Sequence, residues 1–411
     1  MPNNNYDIIV VGSGPAGASA ATAAAAGGRR VLLLERKPVP GVPVRCGEGI
    51  GHQGLTLSLE PRPEWIKSTV TRARMISPSG INVEIGNVDK SYIMDRERMD
   101  ADLVKAAVEA GAEFRTSSPA VRAEETPSNQ YKVICANGKN SVNTADNSGG
   151  INSANGQIDG QTEFQAPCLI LADGVESRLA RCFGWDTALR LEDIETAAFA
   201  RIEAAGIEGD CCTFYTGSAV APGGYLWVFP RGEGAANVGL GVIGSRCRPG
   251  LPKKLLLDFI NRAYPGARVT DLHCGGVPVA RWVNPLVRGG VMLAGDAARQ
   301  VNAINGAGIA YSLYAGRLAG SVAAGAFRGD GSFNRKALSG YQRGWAKEFG
   351  KQQERSFALK EFIMSADDAF LDKIADSLSK EPPGAVSYLR VFMRTFSSRP
   401  LLLFKAFKLF R

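Results

Sequence analysis

Gly12-Ser13-Gly14-Pro15-Ala16-Gly17 is a GxGxxG turn, and Glu35 follows it at about the ~20-residue distance where a ribose-binding acid belongs. That combination does phosphate and ribose chemistry. The first glycines allow a tight turn and close approach of the backbone to a pyrophosphate, and the last lets helix and strand pack. The N-terminus of the following helix offers free N–H groups to the anion. An acid on the ribose 2′-hydroxyl disfavours a 2′-phosphate. For this to work, the turn must join a buried strand to a helix. Tyr6 to Val11 reads as that strand, the helix formers after Gly17 as the helix, and Val31 to Leu34 as a second strand ending at Glu35. A glycine turn without a ligand would need none of this context. The sextet Gly239-Leu240-Gly241-Val242-Ile243-Gly244 has the same spacing, but its glycines lie in an alternating apolar run, and Pro249 and Pro252 stand where a phosphate-binding helix should begin. It reads as a sheet strand, so one dinucleotide site is expected.

Two later segments have a related form. Cys168 to Ala172 is an apolar strand ending in Asp173-Gly174, with Ser177 and Arg178 just after. Val291 to Ala294 runs into Gly295-Asp296, then Asn302, Asn305, Gly306, Gly308 and Ile309 at the start of a long helix. In order, these resemble the Asp-Gly and Gly-Asp motifs of the glutathione-reductase-type FAD superfamily. The resemblance implies that Gly295 and Asp296 hold the ribityl and phosphate region of FAD. It also implies that the turn from Asn305 to Gly308 approaches the flavin ring at a helix N-terminus, where a positive helix end would stabilise reduced flavin. Arg98, at the opening of a helix through Leu103 and Ala107, is expected to touch FAD, the other reading being a solvated surface arginine. An NAD dehydrogenase would not need a third segment returning to the cofactor so far downstream.

Within that superfamily, Pro43-Val44-Arg45-Cys46-Gly47-Glu48-Gly49-Ile50 and Gly223-Gly224-Tyr225-Leu226-Trp227-Val228-Phe229-Pro230 resemble two segments of the geranylgeranyl reductase family, the second fitting its Tyr-x-Trp-x-Phe-Pro signature. The resemblance implies an α/β (α+β) fold, in which a three-layer Rossmann-like FAD domain is interleaved with a β-sheet substrate domain and followed by a C-terminal helical segment. The FAD domain is expected over 1–90, 91–185 and 270–330, the sheet domain over 45–100 and 186–285, and the helical segment over 331–411. Cofactor contacts are then expected at Gly12, Gly14, Pro15, Ala16, Gly17, Glu35, Arg36, Arg45, Cys46, Gly47, Arg98, Asp173, Gly174, Gly295, Asp296, Gly306, Gly308 and Ile309. Substrate contacts are expected at Tyr225, Trp227, Phe229 and Pro230, although alternation at period two is also the ordinary pattern of a buried strand face. The implied reaction saturates C=C bonds of geranylgeranyl chains in archaeal-type membrane phospholipids, by hydride from reduced FAD plus a proton. Cys46 is the candidate proton donor, its alternative being an inert packing cysteine; Glu48 could tune it, and nothing marks His52 or His273 as a base. NAD(P)H or ferredoxin would supply electrons. The rival functions are an FAD-dependent monooxygenase or halogenase, and a non-catalytic prenyl-lipid binding module, for which the intact glycine fingerprint is a poor match.

Composition bounds these readings. The 411 residues are 45% hydrophobic and 21% charged, ordinary for a folded chain. The net charge of +8 favours an anionic partner, and nothing beyond charge points to nucleic acid. Eight cysteines without a CxxC pair or metal-ligand spacing argue against metal and disulfides and for a reduced interior, most of them as small buried residues. No apolar run reaches the roughly 18 to 20 residues needed to span a bilayer. Asn137 to Glu163 reads as a polar surface insertion. The tail from Tyr388 to Arg411 interleaves apolar residues with Arg390, Arg394, Arg399, Lys405 and Lys408. It is expected either to lie on an anionic membrane surface or to cover the substrate tunnel, giving a cytoplasmic, membrane-peripheral protein.

Overall fold

A computed structural model describes residues 4–85, 90–136 and 161–380. Its central sheet runs in the order Val287–Arg288, Val291–Leu293, Cys168–Leu171, Ile8–Val11, Val31–Leu34, Glu113–Arg115, parallel throughout except for the first, hairpin-paired strand. Ile8–Val11, Val31–Leu34 and Cys168–Leu171 are buried at every position, as strands covered on both faces must be. The alanine-rich helix Pro15–Ala26 packs on the helix Ile309–Gly325. Side chains at Gly316 and Gly320 would overlap the carbonyls of Ala16 and Ala20, so small residues set the separation of the two helices. An antiparallel meander of Ala120–Glu125, Tyr131–Ala136 and Gln161–Ala166 adds Ala123, Val133 and Phe164 to the same core.

That meander corrects the extent of the polar insertion. Gln161 to Glu163 belong to a strand, with Gln161 opposite Ala136 and Ala166 opposite Tyr131. Only Phe164 and Ala166 of this strand are buried, so its polar first half looks like loop in the sequence. Residues 137–160 lie outside the described residues, as does the tail from Tyr388 to Arg411.

A seven-stranded sheet, ordered Arg268–Pro278, Ile194–Glu203, Ala235–Ile243, Tyr225–Pro230, Cys211–Thr216, Arg72–Ile76, Asn82–Ile85, builds the second core. One face buries Ala198, Ala200, Leu226, Val228, Val238 and Leu240 under the helix Leu251–Ala263. The other carries Glu195, Ala197, Phe199, Tyr225, Trp227 and Phe229, since residues two apart along a strand share a face. After Ser339–Trp345 and Lys351–Met364, the helix Asp368–Ser379 is tied to the edge of this sheet. Asp368 accepts from the Ser218 amide and hydroxyl at 2.9 and 2.6 Å, and Asp372 accepts from the Ser77 and Ser79 hydroxyls at 2.6 and 2.8 Å. Among the described residues, no helix is long and apolar enough to cross a membrane. Half of the cysteines, not most, are buried: Cys135, Cys168, Cys211 and Cys212 are inside, while Cys182 is exposed in a short 3-10 turn and Cys274 in the middle of a sheet-edge strand.

Candidate active site

The opening turn is shaped by what each glycine touches. Gly12 has φ +97°, and a side chain there would overlap the Ala172 carbonyl; one at Gly17 would overlap the Gly12 carbonyl. A Cβ at Gly14 would meet nothing within 4 Å. Two glycines therefore serve packing, and the third leaves open space before the helix that begins at Pro15, whose N-terminus has no side-chain cap. Glu35 closes the turn, accepting from the Ser13 amide at 3.1 Å, the Ser13 hydroxyl at 2.7 Å and the Lys37 amide at 2.9 Å.

The three distant motifs meet here. Asp173 follows Ala172 directly against Gly12, and burial pushes its carboxyl up to about 6, with the Arg178 and Leu179 amides and the exposed Arg36 opposing. Its Oδ1 is buried without a hydrogen-bond partner among the described residues, and Gly174 turns the chain at φ +81°. Gly295, at φ +68°, packs on Ala16, where its Cβ would lie 2.9 Å from the alanine methyl. Burial likewise raises the carboxyl of Asp296, opposed by the charge of Arg96. Gly308 folds back on that carboxyl, its Cβ position 3.3 Å from Asp296 Oδ1, and starts the helix at Ile309 with no side-chain cap. Gly306, at φ +65°, rests against Val277 of the large sheet. Two desolvated carboxylates, two uncapped helix ends and a bare glycine are acceptors for hydroxyls and donors for phosphates, so these residues fit a flavin dinucleotide.

Arg98 lies elsewhere. Its side chain is 60% exposed and pairs with Asp102 at 3.6 Å on the outer face of the helix Arg96–Glu109. Arg96, 12% exposed and held by Asp100 at 2.8 and 2.9 Å, points inward and acts on Cys46 and Asp296. The signal was helical spacing: Arg96 shares a face with the buried Asp100, Leu103 and Ala107, whereas Arg98 shares one with Asp102 and Lys105.

The segment from Arg45 to Gly49 packs against the aromatic strand. Arg45 is exposed beside Gly275, while a Cβ at Gly47 or Gly49 would come within 3.2 Å of the Phe229 ring. Asn237 joins the two parts, accepting from Trp227 Nε1 at 3.0 Å and donating to the Cys46 carbonyl at 2.9 Å. Burial pushes the Cys46 thiol up, Arg96 opposing, and its sulfur accepts from the Glu48 amide at 3.2 Å. Tyr225 donates to the Asn305 carbonyl at 2.6 Å, tying the wall to the turn before Ile309, and the Pro230 carbonyl accepts from Ser68 Oγ at 2.6 Å. Sequence reasoning left Glu48 without a definite task; here it is fully buried and bonded to Arg231, Arg201 and Asn237.

The second glycine sextet now has its explanation. It lies in the strand Ala235–Ile243, where a side chain at Gly239 would overlap the Trp227 ring and come within 2.6 Å of Phe199 Cβ. Gly239→Ala is expected to destabilise the protein by about 1–3 kcal/mol through overpacking and to change the Trp227 fluorescence. Denaturant unfolding followed by tryptophan emission checks both.

Residues 193–277 match the geranylgeranyl reductase catalytic domain and residues 7–41 the FAD dependent oxidoreductase domain. A digeranylgeranylglycerophospholipid reductase of Methanothrix thermoacetophila is 39% identical over 94% of this chain and 96% of its own length. One from Methanoculleus marisnigri is 36% identical over 97% of both. The structure of a geranylgeranyl bacteriochlorophyll reductase-like protein from Thermoplasma acidophilum superposes with a TM-score of 0.85 at 28% identity, covering 99% of each chain. The flavin-dependent brominase Bmp2 shares the fold alone, at a TM-score of 0.65 and 16% identity over 91% of this chain and 93% of that one. With the glycine turn, the Gly-Asp turn and the aromatic wall gathered at one place, the chain belongs to the geranylgeranyl reductase family of FAD-dependent oxidoreductases.

Proposed function

We infer that the protein is an FAD-dependent reductase that saturates C=C bonds in the geranylgeranyl chains of a membrane glycerophospholipid. The observation that carries this reading is the wall of Tyr225, Trp227 and Phe229, which abuts the Cys46 segment on one side and the turn before Ile309 on the other. A polyprenyl chain has no polar group along its length, so it is held by apolar burial, worth about 25 cal/mol per Å². The wall and Phe199 supply that surface. Asp173, Asp296, Glu35 and the bare Gly14 hold the FAD, with Arg96 in the place expected of Arg98. The bound FAD, once reduced, supplies a hydride. Cys46 holds the matching proton: burial keeps its thiol protonated, and the Arg96 guanidinium favours the thiolate left after transfer.

NAD(P)H or a ferredoxin supplies the electrons, and the basic, apolar C-terminal tail rests on the anionic cytoplasmic face of the membrane; the +8 net charge supports both contacts. The test is anaerobic: the purified, reduced protein is given a geranylgeranyl glycerophospholipid, and the product is weighed by mass spectrometry. A gain of about two mass units per double bond is expected. A gain of about sixteen would mean oxygenation, and an unchanged lipid would sink the reading.

A further inference from the structure

The aromatic wall carries two polar hydrogens, and the protein takes both. Tyr225 donates its hydroxyl to the Asn305 carbonyl at 2.6 Å, and Trp227 Nε1 donates to Asn237 Oδ1 at 3.0 Å. Asn237 is out of place by composition: it is 1% exposed in the strand Ala235–Ile243, whose other residues are all Ala, Val, Gly, Leu or Ile. A buried amide costs stability unless its hydrogen bonds are made, and this one makes three. Besides accepting from the indole, its Nδ2 donates to the Cys46 carbonyl at 2.9 Å and to Glu48 Oε2 at 3.2 Å. These partners fix which way the amide points, since an indole nitrogen only donates while a carbonyl and a carboxylate only accept. Ionised aspartate has no hydrogen to offer Cys46, and leucine has nothing for either side.

Asn237 thus grips the residues on both sides of Gly47, and Gly47 itself lies on the wall, its Cβ position 3.3 Å from Trp227 Nε1 and 3.2 Å from the Phe229 ring. The Glu48 amide then donates to the Cys46 sulfur at 3.2 Å. The carbonyl of Cys46 is therefore set against the wall by Asn237 directly, and its thiol through Glu48, whose carboxylate Asn237 also bonds. Packing alone would be served by an apolar side chain at this position, as along the rest of the strand. We propose that Asn237 is a positioning residue for the reduction, fixing the Cys46 thiol over the Trp227 ring so that a prenyl chain seated on that ring presents its double bond to the thiol. Misplacing a reacting group by about 1 Å costs on the order of 100-fold in rate, which is the effect such a link prevents. The role rests on the reductase reading above and on Cys46 as proton donor.

The experiment uses Asn237→Leu, which keeps the size and removes all three bonds, and Trp227→Phe, which keeps a ring on the wall but has no N–H for Asn237. In the flavin-loaded enzyme, Asn237→Leu is expected to lower kcat on a geranylgeranyl glycerophospholipid about 100-fold with KM within about threefold of wild type, because the wall that binds the chain is still present. A second readout needs no turnover. With flavin bound and no lipid, iodoacetamide should label Cys46 at least about fivefold faster in both variants than in wild type, while Cys135 and Cys168 of the first core react no faster. Peptide mass spectrometry follows each site separately, since the exposed Cys182 and Cys274 react in every variant. Unchanged Cys46 labelling in both variants, labelling of Cys135 and Cys168 that rises with it, or a raised KM with kcat intact would each overturn the proposal. If Asn237→Leu does not fold, the labelling of Trp227→Phe decides alone. A wild type that reduces no lipid fails the functional reading instead, and the labelling still reports whether Asn237 holds Cys46.

Discussion

Gly14→Val is expected to give a well-folded protein that purifies without flavin. Gly14 has φ −65° and ψ −178°, a conformation any residue adopts, and a Cβ there meets nothing within 4 Å. The change in stability should therefore stay within about 0.5 kcal/mol. The added atoms stand in front of the uncapped helix that begins at Pro15, in the space a pyrophosphate must enter to reach those amides. Losing that approach should weaken flavin binding at least about 100-fold, close to 3 kcal/mol. Gly17→Ala is the contrasting case. Its methyl would overlap the Gly12 carbonyl, so the backbone must move and the fold itself suffers. Visible absorbance of the purified protein, beside a thermal melt, separates the two. A yellow, stoichiometrically loaded Gly14→Val protein would mean that the open space is not the phosphate side of the site, and the cofactor assignment would fall with it.

The contrast between these glycines shows what was readable in the sequence. A backbone held at φ +97° or pressed on a carbonyl admits no side chain, so Gly12 and Gly17 had to be written as glycine, and the strands around them had to be apolar throughout. The period-two run from Tyr225 to Pro230 was equally plain. Harder to read were residues whose partners come from far along the chain. Arg96 and Arg98 differ by two positions, and only the buried face of their helix tells them apart. Gln161 to Glu163 form a strand because Tyr131–Ala136 pairs with them, not through any preference of their own. Glu195 looks like any polar residue near the start of a strand until the fold sets it opposite Ile243 with its carboxyl over Gly241.

Glu48 is the clearest such case, and Glu48→Gln should be among the most destabilising changes open to this chain. The carboxylate is fully buried on a residue with φ +68°. One oxygen takes Arg231 and, at 3.2 Å, Asn237; the other takes Arg201 at 3.2 Å. Glutamine keeps the shape but removes the only anion that pairs with Arg231 among the described residues, and that side chain is just 11% exposed. Arg201 suffers less, since Glu97 at 2.8 Å and Asp271 at 3.3 Å still face it from the solvent side. Breaking a buried pair from one side costs about 3–5 kcal/mol, mostly for the charge left behind. The lower end applies here, because the Met94 carbonyl at 3.4 Å and part of the solvent remain in reach of Arg231. The effect should extend to chemistry, because the Glu48 amide donates to the Cys46 sulfur and Asn237 holds the Cys46 carbonyl. Once that segment loosens, Cys46 should react faster with a small alkylating agent. Removing the stranded charge as well, in Glu48→Gln with Arg231→Met, should recover part of the lost stability without restoring the slow thiol reaction. Denaturant unfolding of the two single variants and the double variant, with alkylation rates on each, measures this directly. If Glu48→Gln alone stays within about 1 kcal/mol of wild type, the ion pair is not what fixes the Cys46 segment, and the packing of Gly47 and Gly49 on Phe229 must hold it instead.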